Sequence, residues 1–214
     1  MHYLLNADDN SLMAGANLAI LGDELLQFGR ADQLGEGVYR LSKLLRGRRG
    51  TEWAASSHSA GERFCIFDPA ALRSVELPTS AVGATLSATA HGIGDSAPLP
   101  MALRGVTGES LRPLSPCHAR LTRQGGDVRA SWVRRSLRGW AWADGVGVSA
   151  DPYPELYRLS LTGPGGELTA ESGTDSATLP AGELPAGPGE EIVLAVTAVG
   201  PAALSRPAFA TLRL

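Results

Sequence analysis

A two-residue turn signal near the N-terminus constrains this chain more than any other local feature. Leu18-Ala19-Ile20-Leu21 and Glu24-Leu25-Leu26-Gln27-Phe28 are apolar runs separated by Gly22-Asp23. Glycine supplies the positive φ that a tight antiparallel turn needs, so the pattern predicts a β-hairpin. The same punctuation recurs. Gly35-Glu36-Gly37 precedes Val38-Tyr39-Arg40-Leu41-Ser42, which alternates apolar and polar residues at strand period. Residues 62–68 read as another strand, stopped by Pro69, and only Ala70–Arg73 reads as a brief helical turn. With 26 glycines and 14 prolines, the chain favours short strands over long helices, so the fold class expected is all-β.

The first half, residues 1–112, reads as a small barrel-like β domain, with weak strands in the small-residue stretch 79–100. Leu111–Pro116, LRPLSP, reads as a linker, because its prolines fix φ and bias the preceding residues to extended conformations. From 113 to 214 a second set of strands begins. Val128, Ala130 and Trp132 alternate with polar neighbours, and Tyr157–Leu161 does the same before the turn residues 162–166. Ile192–Val199 is a long β-branched run, and Phe209–Leu214 closes the chain. That spacing predicts a β-sandwich.

Charge excludes some functions. A formal net charge of −3 argues against a dedicated nucleic-acid binder, which shows a basic excess. No apolar run approaches the roughly 18 residues that span a membrane, and no signal-peptide pattern opens the chain. The basic residues nevertheless crowd into YRLSKLLRGRRGTEW, 39–53, which holds Arg40, Lys43, Arg46, Arg48 and Arg49. Arginine forks could grip an external carboxylate or phosphate. Gly47 and Gly50 favour a different reading: a sharp reversal whose arginines pair with Glu24, Glu52 or Glu62, or anchor a subunit interface. Phosphate-loop spacing is absent, so no nucleotide is expected.

Signs of catalysis are missing. His2, His58, His91 and His118 form no metal-ligand spacing, so neither metal nor cofactor is expected. Cys65 and Cys117 are too few for a disulfide framework and read as unpaired, semi-buried thiols, with Cys65 a core residue between Phe64 and Ile66. Asp8-Asp9 and Glu190-Glu191 read as solvated turn residues rather than a glycosidase pair, and the chain is expected not to be an enzyme. The binding candidate is the stretch RGWAWADGV, 138–146. There Arg138, Trp140, Trp142 and Asp144 share one parity of an extended segment, and rings flanked by hydrogen-bonding groups suit sugar recognition. The bland alternative is that both tryptophans cap the sandwich core.

Two resemblances extend this reading. The second half resembles a fibronectin type III domain in Trp132, Tyr157 and Ile192-x-Leu194-x-Val196-x-Ala198, with AVGPAALSRPA, 198–208, similar to that family's penultimate loop. It departs at Ile192, where the family carries the tyrosine of its corner, and in the insert at about 134–155. GDE at 22–24, YRLSKLLRGRRGTE at 39–52 and GERF at 61–64 resemble the C-terminal region of phage tail host-specificity proteins. The large tail-tip proteins of gene transfer agents and related prophages are among them. SPCHARL and the tryptophan-containing stretch after it are similar to the segment that follows in those proteins. The resemblance implies a non-enzymatic virion tail-tip component of a baseplate, trimeric in the full tip. Its partners would be the hub and distal-tail proteins and a host cell-surface polysaccharide. The alternatives are a purely structural assembly module and, without any sequence sign of paired carboxylates, a glycan hydrolase.

Overall fold

The computed structural model describes residues 4–68, 72–96, 101–136, 151 and 153–214. They divide into two compact units, Met1–Glu76 and Leu77–Leu214. The expected boundary at 112/113 therefore lies within the second unit.

The first unit opens with a one-turn helix, α1 (Asp9–Met13), capped by the Asp8 carboxylate, which accepts from the Ser11 N–H at 2.7 Å. Four strands follow: β1 (Leu18–Leu21), β2 (Glu24–Gly35), β3 (Val38–Leu45) and β4 (Phe64–Ile66). They form one antiparallel sheet in the order β3-β2-β1-β4. Leu21 pairs with Glu24, so Gly22-Asp23 is the two-residue turn that the sequence predicts. The buried apolar cluster is slim: Ala19, Leu26 and Phe28, with Leu4, Leu21, Ala31 and Leu41 packed against it. At about 1.5–3 kcal/mol per fully buried large side chain, so few residues leave much to polar contacts. One is Gln27, whose buried amide donates to the Leu12 and Ala16 carbonyls at 2.9 and 2.7 Å and ties α1 to β2.

The expectation for Cys65 needs correcting. It lies on β4, a three-residue edge strand exposed throughout, so its thiol is exposed rather than in the core. Cys117 is half-buried, and both thiols are free. Ala70 and Ala71 of the expected helical turn lie outside the described residues.

In the second unit, β5 (Thr85–Thr89) and β6 (Met101–Gly105) pair as an isolated hairpin, exposed at every residue. The remaining strands are β7 (Cys117–Gln124), β8 (Asp127–Val133), β9 (Tyr157–Gly163), β10 (Gly166–Ser172), β11 (Ser176–Leu179), β12 (Glu191–Ala198) and β13 (Ala208–Arg213). They make one sheet ordered β11-β8-β7 and another ordered β10-β9-β12-β13. This three-on-four sandwich is the fibronectin type III-like arrangement that the resemblance implies. Strand alternation places Val128, Ala130 and Trp132 of β8, Tyr157, Leu159 and Leu161 of β9, and Ile192, Leu194 and Val196 of β12 in one core. Ile192 is fully buried, so an alkyl group occupies the corner position and no hydroxyl is there to make the corner hydrogen bond.

The LRPLSP stretch is docked on the sandwich. Arg112 Nη1 donates to the Leu204 carbonyl at 2.9 Å, and Glu109 Oε1 lies 3.2 Å from both Arg112 Nε and Arg206 Nη2. Pro113 packs so closely on Gly200 that a Cβ there would fall 2.5 Å from its ring.

Candidate functional site

In the first unit, segments distant in sequence converge on one carboxylate. Glu24 starts β2 with its side chain fully buried. Arg46, just after β3, forks onto it: Nε lies 2.8 Å from Oε1, and Nη2 lies 2.7 Å from Oε2. The Gly47 N–H donates to Oε1 at 2.7 Å. His58 Nε2 lies 2.7 Å from Oε2, and its Nδ1 lies 2.6 Å from Glu62 Oε2. Glycine is required at 47: φ is +59°, and a Cβ would lie 2.6 Å from the Glu52 Cγ. Thr51 Oγ1 accepts from the Leu25 N–H at 2.9 Å and donates to the Arg48 carbonyl, stitching the 48–54 turns to β2.

The electrostatics follow from this geometry. Burial pushes the Glu24 carboxyl up, but the hydrogen bonds from Arg46, His58 and the Gly47 N–H outweigh it and hold it at about 2. The Arg46 guanidinium is raised in turn by its bond to Glu24. His58 is raised by its hydrogen bonds, first to Glu62 and then to Glu24. Glu62 is lowered by His58 and by the Ser59 N–H. Both ring nitrogens of His58 face carboxylate oxygens, and only an imidazolium can donate at both. Glu24, with both oxygens engaged, is saturated. It cannot serve as a base, and the cluster acts as a clamp.

A pH profile tests the clamp. His58 has a raised folded value, so its contribution is full below its ordinary 6.5 and is lost as pH rises through the folded value. Glu24 and Glu62 are depressed, so theirs are full above the ordinary 4.5 and decline toward acid, Glu24's through about 2. Thermal melts should show the clamp strongest between these ordinary values, with a further decline on the alkaline side. His58→Gln should remove the alkaline decline and keep the acid one. An unchanged alkaline decline in the variant would overturn the assignment.

The structure sorts the basic residues expected at an interface or anion site. Arg46 is committed internally to Glu24, the first of the three carboxylates expected. Lys43, at φ +56°, pairs with Asp9 at 2.6 Å, its stem lying over Gly29. Arg40 stands opposite Asp32 in the ladder and is exposed, as are Arg48 and Arg49 on the turn. Sequence reasoning missed the role of His58, which it weighed as a metal ligand. The available signal was the i, i+4 spacing of His58 and Glu62 within HSAGE. Asp8 caps a helix, and Glu190 accepts from the Gly187 N–H.

Arg138, Trp140, Trp142 and Asp144 lie outside the described residues. The residues flanking them are described. The buried Ser136 hydroxyl donates to Asp151 Oδ1 at 2.9 Å, and the Tyr153 hydroxyl donates to Oδ2 at 3.3 Å. The Tyr157 hydroxyl donates to Glu155 Oε1 at 2.9 Å. Burial first, then Asp151, raises the Tyr153 phenol. Among the described residues, no group of three or more His, Cys, Asp or Glu is arranged to hold a metal ion, and no helix is long and apolar enough to cross a membrane.

Fold and site together define an all-β protein with a clamped N-terminal sheet and a fibronectin type III-like sandwich. Residues 2–65 match a family model described as Rcc01698-like, C-terminal, which covers the whole clamp. No curated protein matches. Among solved structures, domains d3–d4 of the rat CD45 extracellular region align at a TM-score of 0.38 and 9% identity, covering 86% of this chain and 94% of that one. A two-domain fibronectin type III segment of chicken tenascin aligns at 0.33 and 12%, covering 92% and 96%. The sandwich assignment rests on the strand order and the core.

Proposed function

We propose that this chain is a non-enzymatic component of a phage or gene transfer agent tail tip. It attaches to neighbouring tail proteins, the hub and the distal tail, and recognises a host cell-surface polysaccharide. The observation that carries this reading is the fate of the sequence blocks behind the resemblance. GDE supplies Glu24, RGRRGT supplies Arg46, Gly47 and Thr51, and GERF supplies Glu62, so the three blocks meet in a saturated clamp rather than a reactive centre. A motif spent on holding a sheet together fits a structural part. The exposed Arg40, Arg48 and Arg49 suit contacts with partner subunits. In this reading the protein works as part of a trimer at the virion tail tip.

The test is binding of labelled protein to intact cells, encapsulated and capsule-less, at low and moderate salt, beside a Trp140→Ala/Trp142→Ala double variant. Capsule-dependent binding that persists at moderate salt and is lost in the folded variant is the expected result. Absence of binding to every strain overturns the recognition half. The purely structural reading then takes its place, and one observation favours it: the β5–β6 hairpin exposes Leu86, Met101 and Leu103. A lone two-stranded hairpin is marginal in water and gains from being covered.

A further inference from the structure

A two-stranded ribbon is marginal in water and is stabilised by a third strand or a packed face. Among the described residues, β5 and β6 pair only with each other and are exposed throughout. The direction of their free backbone groups follows from the register. Val106, just past β6, donates its N–H to the Ala84 carbonyl at 2.8 Å. Bonded positions alternate along an antiparallel ladder, so Ala102 and Arg104 turn their N–H and C=O groups toward Ala88 and Leu86 of β5. Met101, Leu103 and Gly105 therefore turn theirs outward, along an edge with no neighbouring strand. The side chains of Met101 and Leu103 share one face of the hairpin and are 61% and 60% exposed. Open edges are commonly blunted by lysine, proline or a bulge. β6 holds no lysine or proline, its ladder has no bulge, and its one charge, Arg104, is on the other face.

The sequence of β6, MALRG, suits one partner in particular: itself. Set antiparallel to a second copy with Leu103 opposite Leu103, it places Met101, the longest side chain on that face, opposite Gly105, which has none. The space is open, because nothing lies within 4 Å of where a Cβ on Gly105 would stand. The fit occurs twice, once on each side of the two-fold axis. Residues facing each other across this edge are in bonded positions, so the outward N–H and C=O groups of Met101, Leu103 and Gly105 all find partners. The two leucines meet at the axis and the methionines flank them, which makes one apolar strip of cross-strand neighbours. We infer that β6 pairs with β6 of a second copy of this chain, antiparallel about Leu103, to complete a four-stranded β5-β6-β6-β5 sheet. Such a sheet has the strand number that a lone hairpin lacks. Five residues a side fall well below the about 20–30 of a standard interface, so the dimer is weak and depends on concentration. The pairing rests on the hairpin alone and not on the tail-tip reading.

The test is sedimentation equilibrium of the full chain from micromolar to millimolar concentration, with the free thiols kept reduced. Gly105→Val fills the space that Met101 of the second copy needs. Gly105 is a strand residue in open surroundings, so valine fits the single copy. Leu103→Lys sets two ammonium groups opposite each other at the axis. Ser87→Lys, on the outer edge of β5, adds the same charge and leaves the β6 edge as it is. Each variant is first shown to keep wild-type amide protection in the sandwich core. The expected result is a monomer–dimer equilibrium, weakened about tenfold or more by Gly105→Val and by Leu103→Lys and changed less than about twofold by Ser87→Lys. The amides of Met101, Leu103 and Gly105 should gain protection from exchange as concentration rises. A monomer at every concentration overturns the pairing. A dimer or trimer unmoved by both β6 substitutions overturns it too, and leaves the tail-tip reading standing. Dissociation by Ser87→Lys as strong as by Leu103→Lys means that the β6 edge is not the contact, and overturns it as well.

Discussion

Glu24→Gln should unfold the first unit at a much lower temperature than wild type. The substitution keeps the shape of the side chain and removes its charge. It also puts an amide N–H₂ where an acceptor oxygen met Arg46, Gly47 or His58. The buried carboxylate is the common partner of all three. Arg46 is 40% exposed and His58 23%, so water compensates part of what they lose, and the cost expected is about 1.5–3 kcal/mol, that of hydrogen bonds to a charged group. For a unit of this size that corresponds to a drop of about 6 °C or more in Tm. Amide exchange should locate the loss, with β1 and β2 losing protection and the sandwich core strands keeping theirs. Arg46→Lys is the companion variant. A lysine carries the charge but cannot fork across both oxygens of Glu24, so a partial loss is expected. A Glu24→Gln protein that melts like wild type would mean that the clamp is incidental to the fold.

Much of the architecture was legible because β-structure writes itself into local alternation. Gly22-Asp23 forecast a turn, and Leu21 and Glu24 pair across it. Val128, Ala130 and Trp132 forecast an inward face, and all three are buried. Two strands without a buried face were not legible, although the exposed β4 and β5 fall within the strands expected at 62–68 and 79–100. Gly166–Ser172 is a sheet edge that remains mostly exposed, so no apolar period marks it. Met101–Gly105 pairs only with another exposed strand. The exposure of Cys65 went the same way: its flanking Phe64 and Ile66 look like a core, but an edge strand of three residues has nothing to pack them against.

The clamp was half legible. The turn reading of RGRRGT implied carboxylate partners for its arginines, and Glu24 was one of three candidates. Which carboxylate receives Arg46 depends on where β2 begins relative to where β3 ends, a fact of strand register. His58 and Glu24 are 34 residues apart in sequence and meet only because β4 returns to pair with β1. Nothing local announces such a contact. The same holds for Ser136 and Asp151, which meet across the insert.

The second large effect is expected from Trp132→Ala. Trp132 is 3% exposed at the centre of the sandwich, and its ring meets that of Tyr157 edge-on, with centroids 5.1 Å apart. An edge-to-face pair adds about 0.5–1.5 kcal/mol to simple burial. Truncating a buried tryptophan costs about 3–5 kcal/mol, because surrounding side chains only partly fill the space it leaves. Here relaxation is restricted on both sides. Trp132 lies on β8, the middle strand of its sheet, and Tyr157 lies on β9, held between β10 and β12. A strand paired on both edges cannot shift to close a cavity without breaking a ladder. Trp132→Ala should therefore fall at the upper end of that range, with a loss of about 10 °C or more in Tm. Trp132→Phe keeps an aromatic edge against Tyr157 and should cost markedly less. Circular dichroism melts of the two variants check the order, and exchange should show the loss in β8, β9 and β12 with β1 and β2 unaffected. Equal costs for alanine and phenylalanine would mean that the ring contact contributes nothing, and that the sandwich depends on its aliphatic core alone.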